Sequence, residues 1–249
     1  AEQNMMGVAA GLASENYNVV TTTFAPFQTM RCCEQVKVNF GYMKNKVCMV
    51  GIASGLVLGT LGYTHCCIED LGVLRSIPGI TILSPADSLE TIKCIKAGIE
   101  NKNPTYVRLT GAANNPIVYA KDYDFEIGKS IKLKDGKDIT IFCTGSMVSE
   151  SLKSASILEK FNINPSVINI HTIKPIDKSA VNQACKNSKI IVSVEEHNII
   201  GGLGSAIAEV KSQIENSPKH LILGIKDLYG KGGSYNFLKK KPRLTAELI

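Results

Sequence analysis

Short apolar, β-branched runs alternate along this chain with longer segments of helical period, the pattern of an α/β fold built on mostly parallel sheet. Residues 5–13 are small and apolar and predict a closely packed helix, and residues 19–24, VVTTTF, predict a strand. A helix is expected over 29–39, a strand over 47–53 and a glycine-punctuated loop over 55–65. A helix over 68–75 precedes a short buried strand over 81–84, which Pro85 stops. The amphipathic stretch 88–100 predicts a helix, with Asp87 placed to cap it, and 105–109 predicts another strand.

The pattern then breaks. Residues 113–125 carry Ala, Asn, Pro and Tyr without a clear period and read as an interdomain linker. A second α/β pattern follows, with strands over 138–143, 165–170, 189–194 and 221–225 and helices over 149–161, 179–187 and 204–213. The expected organisation is two mostly parallel-sheet α/β domains, 1–112 and 126–249, joined by 113–125.

Composition narrows the function classes. The 249 residues are 44% hydrophobic and 20% charged, ordinary for globular domains. Lys and Arg total 28 against 22 acids, so the net charge of +6 is mild and dispersed. The one basic run, Lys239-Lys240-Lys241, reads as a solvated tail, so neither nucleic acid nor a membrane is expected as a partner. No apolar run approaches the roughly 18–20 residues of a membrane span, and no signal peptide is visible. Eight cysteines without CxxC spacing and four histidines argue for reduced thiols in a cytoplasmic protein rather than zinc or a disulfide framework. The chain has no initiator Met and opens inside what looks like a motif, so the true N-terminus is expected upstream.

Few residues look chemical on their own. Glu2 precedes a Met-, Gly- and Ala-rich helix on which a flat cofactor could lie; a buried carboxyl there has a raised pKa. The alternative is a first-turn Glu facing the helix dipole. Phe27, taken alone, reads as a core residue, and Phe24 competes with it for any stacking role. His65 closes a Gly-rich loop, Gly59-Thr60-Leu61-Gly62-Tyr63-Thr64. Gly201 to Gly204 is a weak nucleotide signal and reads better as tight packing at a helix start.

Together these strings resemble one family. Glu2-Gln3-Asn4-Met5-Met6-Gly7, Thr23-Phe24-Ala25-Pro26-Phe27 with Arg31, and Gly62-Tyr63-Thr64-His65 with Glu69-Asp70-Leu71 resemble the pyrimidine-binding domain of split transketolases and of their deoxyxylulose-phosphate synthase relatives. Arg75-x-Ile77-Pro78-Gly79 with Ser84-Pro85-Ala86-Asp87 extends the match. Thr144-Gly145, His171-Thr172-Ile173-Lys174-Pro175 and Glu195-Glu196-His197 with Gly201-Gly202-Leu203-Gly204 are similar to the transketolase C-terminal domain.

The resemblance implies a thiamine-diphosphate enzyme. Glu2 would bond the aminopyrimidine N1′ and promote removal of the thiazolium C2 proton, making the cofactor nucleophilic. Phe27, or Phe24, would stack on the aminopyrimidine. His65 would contact the substrate carbonyl or hydroxyl, and Arg108 would bind substrate. The family's GDG motif, which holds the diphosphate through Mg²⁺ (or Ca²⁺), is missing. A separate N-terminal, diphosphate-binding subunit is therefore expected, in an α2β2 heterotetramer.

Three departures bear on the sugar substrate. Phosphate-sugar transketolases carry a His near Ala53 or Ser54, an Arg where this chain has Gly111, and an acidic residue where it has Leu61. Their loss implies an unphosphorylated or nucleotide-linked sugar, as in surface-polysaccharide synthesis, unless the partner supplies the phosphate ligands. The expected reaction is transfer of a two-carbon ketol unit to an aldehyde or keto sugar. The alternatives are the β subunit of a 2-oxoacid dehydrogenase and a non-catalytic paralogue. The Gly-Tyr-Thr-His and His-Thr-Ile-Lys-Pro strings favour the transketolase side.

Overall fold

β-branched and apolar residues fill the strands and continuous apolar runs fill the central ones, as a parallel sheet covered on both faces requires. In the computed structural model, which describes residues 1–112 and 114–249, the first half runs α1 (Glu2–Ser14), β1 (Val19–Phe24), α2 (Ala25–Gln28), α3 (Cys33–Gln35), β2 (Val47–Ser54), α4 (Asp70–Arg75), β3 (Thr81–Leu83), α5 (Ser88–Glu100) and β4 (Thr105–Thr110). The second half runs β5 (Ile131–Lys134), β6 (Ile139–Cys143), α6 (Met147–Glu159), β7 (Pro165–Asn169), β8 (Thr172–Lys174), α7 (Lys178–Asn187), β9 (Ile190–Asn198), α8 (Leu203–Lys211), β10 (Lys219–Ile225) and α9 (Tyr235–Lys240).

The strands form two five-stranded sheets, β1-β2-β4-β3-β8 and β10-β9-β6-β7-β5. Each is parallel except for one antiparallel edge strand, β8 on β3 and β5 on β7. β8 belongs to the second half by sequence but pairs in the first sheet, Ile82 facing Lys174 and Leu83 facing Thr172. The apolar core also crosses the divide, with Phe40, Ile82 and Tyr106 in one cluster with Ile170, Ile173 and Val181.

The stretch between the halves is tied down by side chains rather than by regular structure. Asp87 caps α5 through Glu90 N–H at 3.0 Å, as expected, and its other oxygen accepts from Val118 and Tyr119 N–H at 2.8 and 2.9 Å. Buried Glu90 accepts from Tyr123 OH at 2.6 Å and from Asn169 of β7 at 2.9 Å. Residue 113, where the linker is expected to begin, lies outside the described residues.

Four elements differ from the expectation. The helix expected over 29–39 is broken: α2 ends at Gln28, where Thr29 Oγ1 turns back to Ala25 O at 2.7 Å, and the chain resumes at α3 and widens into a π-helical turn over Val36–Tyr42. Gly41 in that turn backs onto Ile77, where an added Cβ would come within 2.6 Å of Cγ2. β5 and β8 are too short to show a period in sequence. The basic run near the end is part of α9 and not a loose tail: Lys239 lies over the Tyr235 ring and 3.4 Å from Glu150.

Candidate active site

In open parallel sheets the carboxyl ends of the strands leave a crevice where loops converge. β1 ends at Phe24, α2 follows at once with Phe27, and the loop after β2 returns to the same edge with His65. The three half-buried rings form a triangle, with centroids 6.1 Å apart for Phe24–Phe27, 5.3 Å for Phe27–His65 and 6.5 Å for Phe24–His65. All three contacts are edge-to-face rather than stacked. Thr64 Oγ1 lies 3.0 Å from His65 Nδ1, which fixes the imidazole and leaves Nε2 for another partner.

Glu2 joins this patch through Arg31. The guanidinium donates to Glu2 Oε2 at 2.9 Å and sits over Phe27, its Cζ 3.9 Å from the ring centroid. The raised pKa expected for Glu2 is reversed. A backbone N–H at the helix start, and then Arg31, hold its carboxyl down at about 2. Arg31 stands in the sequence motif, but nothing in spacing alone assigns it this bridging position.

The structure brings Glu2, Phe24, Phe27 and His65 together and separates Arg108 from them. Arg108 is 1% exposed on β4, and Nε donates to both oxygens of buried Asp70 at 3.0 and 2.8 Å. Its Nη2 donates to Glu196 O at 2.9 Å. Burial would raise the Asp70 pKa, but the Arg108 charge outweighs it and holds the carboxylate ionised. The expectation that Arg108 binds substrate is corrected on this geometry: the guanidinium cross-links β4, α4 and β9 in the interior. Ser54 is likewise fully buried, donating to Asp70 Oδ2 at 2.7 Å. Gly111 has φ of +85°, a backbone conformation that strains any residue with a side chain.

Glu196 is the residue that sequence reasoning left without a role. It reaches from β9 of the second half to the His65 loop, accepting from Leu56 N–H at 2.7 Å. Its other oxygen accepts from Ser146 and Tyr235 hydroxyls at 2.5 and 2.6 Å. Its neighbour Glu195 accepts from Leu203 and Gly204 N–H at the start of α8, and burial pushes it up to about 7. An added Cβ on Gly202 would fall 1.9 Å from Glu195, which makes the glycine string a packing feature, as expected.

A flat, electron-poor heterocycle fits this patch. The face of Phe27 already holds a guanidinium cation 3.9 Å from its centroid. Among the described residues no group of three or more His, Cys, Asp or Glu side chains is placed to hold a metal ion. No helix of the described residues is long and apolar enough to cross a membrane.

Two α/β domains with this patch at the strand ends define a class, and comparison with known proteins agrees. Residues 1–115 match the transketolase pyrimidine binding domain and residues 128–247 the transketolase C-terminal domain. The chain belongs to the transketolase family. Its relatives include split subunits of such enzymes. It is 38% identical over 250 residues to 6-deoxy-6-sulfo-D-fructose transketolase subunit SqwH of Clostridium sp. (strain MSTE9), covering 100% of this chain and 77% of that one. It is 37% identical over 227 residues to one of the subunits of apulose-4-phosphate transketolase from Phocaeicola vulgatus, covering 91% and 72%. Among solved structures, a split-gene transketolase described as an inactive β4 tetramer superposes with a TM-score of 0.90 at 35% identity, covering 100% of this chain and 78% of that one.

Proposed function

We propose that this chain supplies the aminopyrimidine side of a thiamine-diphosphate site in a two-chain transketolase, which moves a two-carbon ketol unit from a ketose to an aldehyde or keto sugar. One observation carries the reading: Glu2, Arg31, Phe27 and His65, from α1, the α2–α3 segment and the loop after β2, form a single contiguous patch.

The cofactor, when bound, supplies a carbanion-stabilising thiazolium. Glu2 would hold a ring nitrogen and share a proton with it. Arg31, half-exposed and held by one ion pair, would leave the face of Phe27 for the ring. Phe24 closes the apolar side of the patch. His65, its Nδ1 engaged by Thr64, would present Nε2 to a substrate oxygen and move a proton there. Glu196 holds the start of the same loop.

The diphosphate and its Mg²⁺ or Ca²⁺ would be bound by an N-terminal partner subunit, since the GDG motif is missing from this sequence. An α2β2 assembly in the cytoplasm is the arrangement we infer, with the domain division at 1–112, 113–125 and 126–249. At the Ser54 and Gly111 positions this chain offers no cation to a substrate phosphate. An unphosphorylated or nucleotide-linked sugar, of the kind used in surface-polysaccharide synthesis, suits that lack. Two relatives are named for sugars carrying a sulfonate or a phosphate, which favours a second reading in which the partner supplies the anion contacts.

The reconstituted pair, given a ketose donor and separately a 2-oxoacid, tests the reaction class. Two-carbon transfer without decarboxylation supports the proposal. Decarboxylation of the 2-oxoacid, or no turnover by a pair that binds cofactor, contradicts it. Parallel assays with ribose 5-phosphate and nucleotide-linked keto sugars separate the two substrate readings.

A further inference from the structure

A cavity of about 810 Å³ lies away from the Glu2–His65 patch, between β10 and the segment after it. That is the size range of pockets that take small organic ligands, roughly 300–1,000 Å³. Its wall is apolar, with Ile222, Ile225, Leu228, Phe237 and Pro242. Four cations share the lining: Lys226, Lys231, Lys241 and Arg243. No carboxylate lines it, and among the described residues none of the four cations makes a salt bridge or a side-chain hydrogen bond. Four uncompensated charges around an apolar hollow make a local positive field that selects anions. Arg243 also sits in the left-handed backbone region, φ 62°, a conformation that costs energy for a non-glycine residue.

The cavity touches the catalytic loop. Tyr63, two residues before His65, lines it and packs edge-on against Tyr229 at 5.4 Å. Leu238 on α9 packs against Gly59 so closely that an added Cβ would meet it at 2.0 Å. A ligand in the hollow therefore bears on both ends of the loop segment 59–63.

We propose that this cavity is a second binding site, for an amphipathic anion: a molecule with an apolar body and a phosphate or carboxylate head. The body fills the Ile222–Phe237 hollow and the lysines and Arg243 hold the head. The site stands whether or not the reaction proposed above is the right one, because its test reads binding and not turnover.

The experiment titrates ADP and, separately, decanoate into the full protein with its partner chain by calorimetry. Thiamine diphosphate and magnesium are kept at saturation so that the cofactor site is occupied. Saturable binding of one probe per chain is expected, and which probe binds tells an aromatic phosphate from an aliphatic carboxylate. Adenosine and inorganic phosphate, each lacking half of the required chemistry, should bind at least tenfold more weakly. Lys231→Gln with Arg243→Gln should weaken the binding about tenfold or more, as loss of charged hydrogen bonds does. Both side chains are exposed, so the fold is expected to hold, and Lys226→Gln with Lys241→Gln repeats the test independently. Hydrogen exchange in residues 59–66 should slow at saturation. Absence of saturable binding by both probes, binding that both charge-removed pairs leave unchanged, or adenosine binding as tightly as ADP, overturns the proposal.

Discussion

The Glu196 carboxylate, on β9 of the second domain, accepts a hydrogen bond of 2.7 Å from the backbone N–H of Leu56, at the start of the loop that carries His65. The same carboxylate receives the Ser146 and Tyr235 hydroxyls, so one buried group joins the candidate catalytic loop to α6 and α9. An added Cβ at Gly55 would lie 2.3 Å from Glu196 Oε1, which shows how closely the loop is drawn onto it. Glu196→Ala would leave one buried N–H and two hydroxyls without an acceptor, each costing about 1–3 kcal/mol. We expect a marked fall in melting temperature and faster hydrogen exchange across residues 55–67. Glu196→Gln, which keeps an acceptor for Leu56, should recover much of both.

Glu2→Gln separates the proton-sharing role of Glu2 from a helix-end role. Glu2 is half-buried, with Arg31 and the N-terminal amine as its ion-pair partners, so the substitution should leave the fold unchanged by circular dichroism. In the assembled enzyme, exchange of the cofactor C2 proton should slow by about 10²–10⁴-fold, the usual loss on removing a proton-transfer partner. Exchange at the wild-type rate would reduce Glu2 to the first turn of α1.

Arg108 and Asp70 should behave as an internal pair. Arg108→Met leaves a carboxylate buried without its counter-charge, and breaking such a pair costs about 3–5 kcal/mol. Denaturant midpoints should fall accordingly. A stable variant with a raised KM would return Arg108 to the substrate site.

Acid should weaken the fold before it touches the reaction. Burial holds His171, His197 and His220 down at about 4, below the 6.5 of a free histidine. Each is neutral in the fold and protonates more readily when unfolded, so stability is present above pH 6.5 and is lost as pH falls through 4. Glu195, pushed up to about 7 by burial, acts the other way between 4.5 and 7, and Glu69 and Glu90, also raised by burial, side with it more weakly than the three histidines oppose it. The melting temperature should therefore decline from pH 6.5 to pH 4.

Much of this arrangement is legible in the sequence, and the reasons are local. The run VVTTTF is a strand by composition, and Asp87 ahead of 88–100 is a helix start by its capping geometry. Glu2, Phe27 and His65 stand in motifs whose combination is specific even though each string is weak. What stays hidden depends on distance along the chain. Arg108 looks like a free cation until β4 brings it against Asp70, 38 residues away. Glu196 acquires its place only when β9 meets Leu56, 140 residues away. The lowered Glu2 pKa rests on the backbone N–H at the helix start and then on Arg31, 29 residues on, which no periodicity assigns to it. β8 is hidden for a different reason: three residues are too few to show an alternating pattern, and they join a sheet in the other domain.

Division of the cofactor site between two chains is tested most directly by calorimetric titration of thiamine diphosphate and magnesium into the purified chain, first alone and then with a chain bearing a GDG motif. Weak or undetectable binding to the chain alone and saturable, magnesium-dependent binding to the pair is the expected result. Tight magnesium-dependent binding to the isolated chain would contradict the division.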